Sequence, residues 1–138
     1  MNPQSLEALL DLLGNGAAHN GEALARALGM SRAAVWKKIE ALRALGVEIE
    51  GRAGSGYALA RPIARLDAAR IRAGLSATTR AALRDLRIEA VIDSTNAAQR
   101  ADAASLASGS VLLAEAQTAG RGRRGRTWAS PFAAGFLG

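Results

Sequence analysis

The stretch Glu115–Arg126, EAQTAGRGRRGR, sets the terms for everything around it. Four arginines and three glycines fall between Gly120 and Arg126. Glycine lets a backbone take positive φ and come close to a ligand. Arginine offers a fixed fork of donors suited to carboxylate and phosphate. An apolar run, Val111–Ala114, leads in, and Trp128–Phe132 leads out. This pattern predicts an anion-binding loop mounted between two strands. On composition alone, an arginine–glycine tract that touches RNA or nothing competes evenly with it.

Upstream, Ile88–Ile92 is β-branched and apolar, which predicts a strand. Asp93, Ser94, Thr95 and Asn96 follow, and an alanine-rich helix is expected from Ala97 to about Leu106. Polar residues where a strand gives way to a helix are a common ligand-binding point. Taken alone, Ser94 or Thr95 reads more simply as a helix cap. Ser108 and Gly109 turn the chain, and Ser110–Ala116 forms the strand that delivers the arginine–glycine loop.

The N-terminal part reads as helical. Leu6, Leu9, Leu10 and Leu13 make an apolar stripe, with Ser5 as the expected cap and Gly14–Gly16 as the stop. Glu22–Leu28 is a second, short helix broken by Gly29. Ser31 caps a third helix, Arg32–Leu45, which stops at Gly46. Its Val35, Ile39 and Leu42 face inward, while Ala33, Trp36, Lys37 and Glu40 lie roughly 150° away. A short helix, a glycine turn and a basic-faced helix form a helix-turn-helix pattern. Val47–Glu50, a glycine-rich tip at 51–56 and Tyr57–Ala60 read as a β-hairpin, the wing of a winged helix. The expected DNA face comprises Ser31, Arg32, Ala33, Trp36, Lys37, Lys38 and Arg52. An ordinary three-helix bundle with a solvated charged face stays open beside it. Trp36 is expected to cover the rim of the small core rather than stack on a base, and His19 to sit solvated in a loop.

Arg61 and Pro62 close this domain, and 61–66 form a linker. Asp67 caps a helix to about Ala73, and Ser76–Asp85 is expected to be another. The arginines here, Arg65 to Arg87, read as solvated surface. Residues 1–60 carry six basic and six acidic side chains, so the basic excess of +6 lies wholly beyond them. The absence of cysteine excludes disulfides and thiolate metal sites, and one histidine argues against a histidine-based metal site or triad. No apolar run nears the roughly 20 residues of a membrane span. The opening MNPQSLEALLDLL lacks the basic start of a signal peptide. The expectation is a cytoplasmic protein that neither enters a membrane nor carries its own metal site.

Ser94, Thr95 and Asn96, then Gln117, then Gly120–Arg126, then Trp128 and Ser130–Phe132, together resemble a biotin protein ligase. The Gly29–Ala34 segment before a basic helix, with a wing, is similar to the bifunctional subclass that also represses the biotin operon. The resemblance implies an α+β fold: a winged helix-turn-helix domain at 1–60, a linker at 61–66, and at 67–138 the incomplete start of a class II synthetase-like mixed α/β catalytic domain. It implies that biotin's carboxylate attacks the α-phosphate of ATP, with Mg2+, to give biotinyl-5′-AMP and pyrophosphate. A lysine of a biotin carboxyl carrier domain of a carboxylase then takes the biotinyl group. By the resemblance Ser94, Thr95, Asn96, Gln117, Gly120, Arg121, Gly122 and Arg123 bind biotin or its adenylate, and Arg124 and Arg126 support phosphate or loop. The further implied partners are operator DNA and, with adenylate bound, a second copy of the chain. The family's catalytic lysine has no counterpart here, since Lys37 and Lys38 are the only lysines. Little or no ligation is therefore expected of this chain, which reads as an N-terminal piece of such an enzyme. A stand-alone DNA-binding regulator with a vestigial ligand loop remains the alternative.

Overall fold

Asn20 and Ser31 explain why two of the first three helices begin where they do. In the computed structural model, which describes residues 3–132, the side chain of each accepts from the backbone N–H three residues on, Ala23 and Ala34. The helices are α1 (Pro3–Leu13), α2 (Gly21–Leu28) and α3 (Arg32–Ala44). Gly29 ends α2 at φ 62 and ψ 37, a left-handed cap that turns the chain toward α3. Ser5 lies inside α1 and not at its start. Its hydroxyl instead accepts from Lys38 Nζ at 2.6 Å. Leu6, Leu9, Leu10, Leu13, Leu24, Val35, Ile39 and Leu42 make one core.

Strands β1 (Ile49–Arg52) and β2 (Gly56–Leu59) pair antiparallel, so the hairpin tip is shorter than the glycine pattern implied. His19 is more than a solvated loop residue, because its backbone exchanges two 2.8 Å hydrogen bonds with Tyr57 and so joins the wing through a single antiparallel bridge. That approach demands glycine at 56: a Cβ there would stand 2.1 Å from the His19 carbonyl oxygen. Arg43 fastens α3 to the wing, donating to the Ile49 carbonyl at 3.0 and 2.7 Å and to Glu40 at 2.6 Å.

The described chain forms two compact units, residues 3–64 with Phe132, and Arg65–Pro131. The second opens with α4 (Ala68–Gly74), capped by Asp67, and α5 (Ala77–Ala82), capped by Ser76. The expected helix to Asp85 ends sooner because Asp85 already belongs to β3 (Asp85–Ile92). After α6 (Thr95–Ala101), which is shorter than the alanine run suggested, β4 (Ser110–Arg121) pairs parallel with β3. β5 (Thr127–Ser130) pairs antiparallel with β4, giving the order β3-β4-β5. β4 thus runs five residues past the expected Ala116, because β5 supplies it with a partner.

Arginines read as solvated are engaged, Arg87 with Glu89 and Asp102 at the surface and two others more closely. Arg80 donates to the carbonyls of Arg72, Ala73 and Leu75 and so closes the end of α4. Arg65 Nε lies 2.9 and 2.7 Å from the carboxylate oxygens of Glu115, which also accepts from the Leu66 N–H at 2.8 Å. The Glu115 side chain is only 6% exposed, so this group of donors satisfies a charge that burial would otherwise disfavour.

Candidate functional site

In the second unit the site begins at the junction of β3 and α6. Ser94 is 2% exposed and caps α6, its Oγ accepting from Ala97 N–H at 3.3 Å. The simpler cap reading of Ser94 therefore holds, and the same geometry puts the residue on the wall of a cavity of about 670 Å³. Thr95 gives its N–H and its hydroxyl to Gln117 Oε1, at 2.9 and 3.3 Å, which ties α6 to β4. The Asp93 carbonyl accepts from Ala119 N–H at 2.8 Å, and Asp93 Oδ1 from the Thr118 hydroxyl at 3.2 Å. The corner between strand and helix is therefore held to β4 by four hydrogen bonds.

The opposite wall is the arginine–glycine stretch, of which only part is a loop. Gly120 and Arg121 belong to β4 and pair with Trp128 and Thr127 of β5. Gly120 is required by the Trp128 ring, since a Cβ there would lie 2.5 Å from its Cε2. The turn is a 3-10 segment, Arg123–Gly125, closed by Gly122 N–H to the Arg126 carbonyl at 2.8 Å. Arg124 sits at φ 59 and ψ 33, a left-handed conformation that costs a non-glycine residue energy.

Of the expected ligand residues, Ser94, Asn96, Arg121, Gly122, Arg123 and Arg126 line the cavity. Thr95 and Gln117 satisfy each other beside it, Gly120 lies against Trp128, and Arg124 is not on its wall. Asp93, from the polar run at the end of the strand, also lines it, and so do Arg100 and Thr127, which sequence reasoning missed. Arg100 could have been found as the residue four after Asn96 on one helix face. Among the described residues no cluster of three acids or histidines could hold a metal. Asp93 is the one carboxylate among the described residues that line the cavity.

The first unit has a separate cleft of about 860 Å³ between α3 and the wing, lined by Arg32, Ala33, Trp36 and Arg52 among others. Trp36 is 53% exposed and faces this cleft, so it does not cover the core rim as the sequence suggested. Ser31 is spent on capping α3. Lys37 is exposed, whereas Lys38 is turned against α1 and held by Ser5. Asn20, Gly21 and Tyr57 line the cleft too and were not anticipated.

Two parts of the chain match known families. Residues 5–58 match the HTH domain family, and residues 88–135 match the biotin/lipoate A/B protein ligase family. The bifunctional ligase/repressor BirA of Salmonella typhimurium is 48% identical over 126 residues, 91% of this chain and 38% of that protein. Its Escherichia coli counterpart is 47% identical over 126 residues, and the Bacillus subtilis one 39% over 112. The chain spans a little over a third of the length of these relatives. It is thus an N-terminal helix-turn-helix domain followed by the start of a biotin ligase domain, similar in sequence to the bifunctional ligase/repressors.

Proposed function

We propose that the second unit carries part of a site that captures biotin and ATP for biotinyl-5′-AMP formation, and that the first unit binds operator DNA in response. The observation that carries this is the cavity in which Ser94 and Asn96 face Arg121, Arg123 and Arg126. Both reactants are anions, so carboxylate attack on the α-phosphate is repulsive until fixed positive charge offsets it. The arginines supply that charge, and the neutral Ser94 and Asn96 suit the ureido and carboxylate ends of biotin. Gly122 and Gly125 let the turn order over the ligand and keep water from the acyl-adenylate. The biotinyl group then passes to a lysine of a biotin carboxyl carrier domain. Adenylate-dependent pairing of two copies would link this site to DNA, in the cytoplasm.

Calorimetric titration of the chain with biotin and MgATP tests the ligand site. Arg121→Ala with Arg123→Ala should abolish capture, and undiminished capture would overturn the reading. The DNA half rests on the cleft lined by Arg32, Trp36 and Arg52, whose positive charge at phosphate makes binding salt-dependent. A second reading, a DNA-binding regulator indifferent to ligand, is favoured by the separateness of that cleft. Gel shifts unchanged by biotin and ATP would select it.

A further inference from the structure

We infer that Arg100 is an anion contact on the helical wall of the ligand cavity, placed to hold the outer phosphates of the nucleotide and the pyrophosphate that leaves. This rests on the site proposed above and adds a residue outside the motifs that first pointed to it.

The cavity brings together arginines from two elements. Arg121, Arg123 and Arg126 come from β4 and the turn, and Arg100 comes from α6, one turn beyond Asn96. Asp93 is the only carboxylate on the described wall, and its Oδ1 already accepts from Thr118. None of the four guanidinium groups has an ion-pair partner among the described residues, whereas Arg43, Arg61, Arg65 and Arg87 do. A monocarboxylate such as biotin leaves most of this charge uncompensated, whereas a triphosphate balances it. Arginines on two walls can hold separate phosphates of one chain, each as a forked donor. Arg100 comes from α6, so it meets the ligand from a different element than Arg121 and Arg123. During adenylation the bond between the α- and β-phosphates breaks and its electron pair leaves on the β-phosphate oxygen. A cation at the outer phosphates favours that departure.

The test is titration of the 138-residue chain with inorganic pyrophosphate and, separately, with biotin. Arg100→Ala should weaken pyrophosphate at least tenfold and leave biotin within twofold, and Arg100→Lys should recover part of the loss. Unchanged pyrophosphate affinity in Arg100→Ala would overturn the assignment. An equal loss of both ligands would also overturn it, because Arg100 would then merely support α6. Wild-type chain that captures biotin and not pyrophosphate sinks the Arg100 assignment and leaves the site reading standing. Capture of neither sinks both.

Discussion

The two units are held together in different ways. In residues 3–64 leucine, isoleucine and valine side chains from three helices vanish into one core, with Leu9, Leu13, Val35, Ile39 and Leu42 fully buried. In residues 65–131 the helices α4, α5 and α6 bury no residue, and the sheet buries Ala90, Leu112, Ala116 and the backbone at Gly120. Shape there comes from caps, from the tie between Thr95 and Gln117, and from ring against glycine at Trp128 and Gly120. The first unit can therefore alter its cleft residues at little cost to folding. In the second, the contacts that shape the site are also the contacts that hold the fold.

Four substitutions would break or sharpen that contrast. Leu9→Ala empties a fully buried position and should cost about 3 kcal/mol by urea denaturation. Val111→Ala, at a side chain 37% exposed, should stay within roughly 0.5 kcal/mol. Equal costs would erase the distinction. Gly120→Ala forces Trp128 aside and should destabilise by about 1–3 kcal/mol while removing biotin capture. Retained capture in a destabilised variant would separate fold from site. Ser94→Ala loses a buried cap and should cost about 1 kcal/mol, seen as an earlier unfolding midpoint.

The smallest effect is on the surface. The Arg61 guanidinium hydrogen-bonds Glu48 and, with its charge, holds that carboxyl below its ordinary value of 4.5. A depressed carboxylate adds stability above its unfolded value, and the contribution disappears as pH falls through the lower folded value. Glu48→Gln should therefore lower the melting temperature slightly at neutral pH, and the gap from wild type should close in acid. A gap that widens in acid would reverse the sign.

What could be read in advance depended on how local the cause was. Ser31, Gly29 and Asp67 act on residues three to four places away, so their caps were visible as spacing. The extension of β4 was not, because it needs β5 folded back across the turn. Lys37 and Lys38 look alike in sequence, but a helix sets them 100° apart, and only the second reaches Ser5. Arg80 looked like solvated charge because it reaches the carbonyls at the end of α4 only once the chain has turned into α5. The arginine–glycine motif pointed to one wall of the cavity and said nothing of Arg100, which lines it from another element.

The carboxylate of Glu115 has one more consequence. It grips Arg65 and Leu66 and sits two places before Gln117, on the same side of β4. Mechanically it is a rivet, fixing the unit's entry segment to its central strand one step from the residue that orients Thr95. A pull applied at residue 65 would therefore load β4 directly, two places from the residue that holds Thr95.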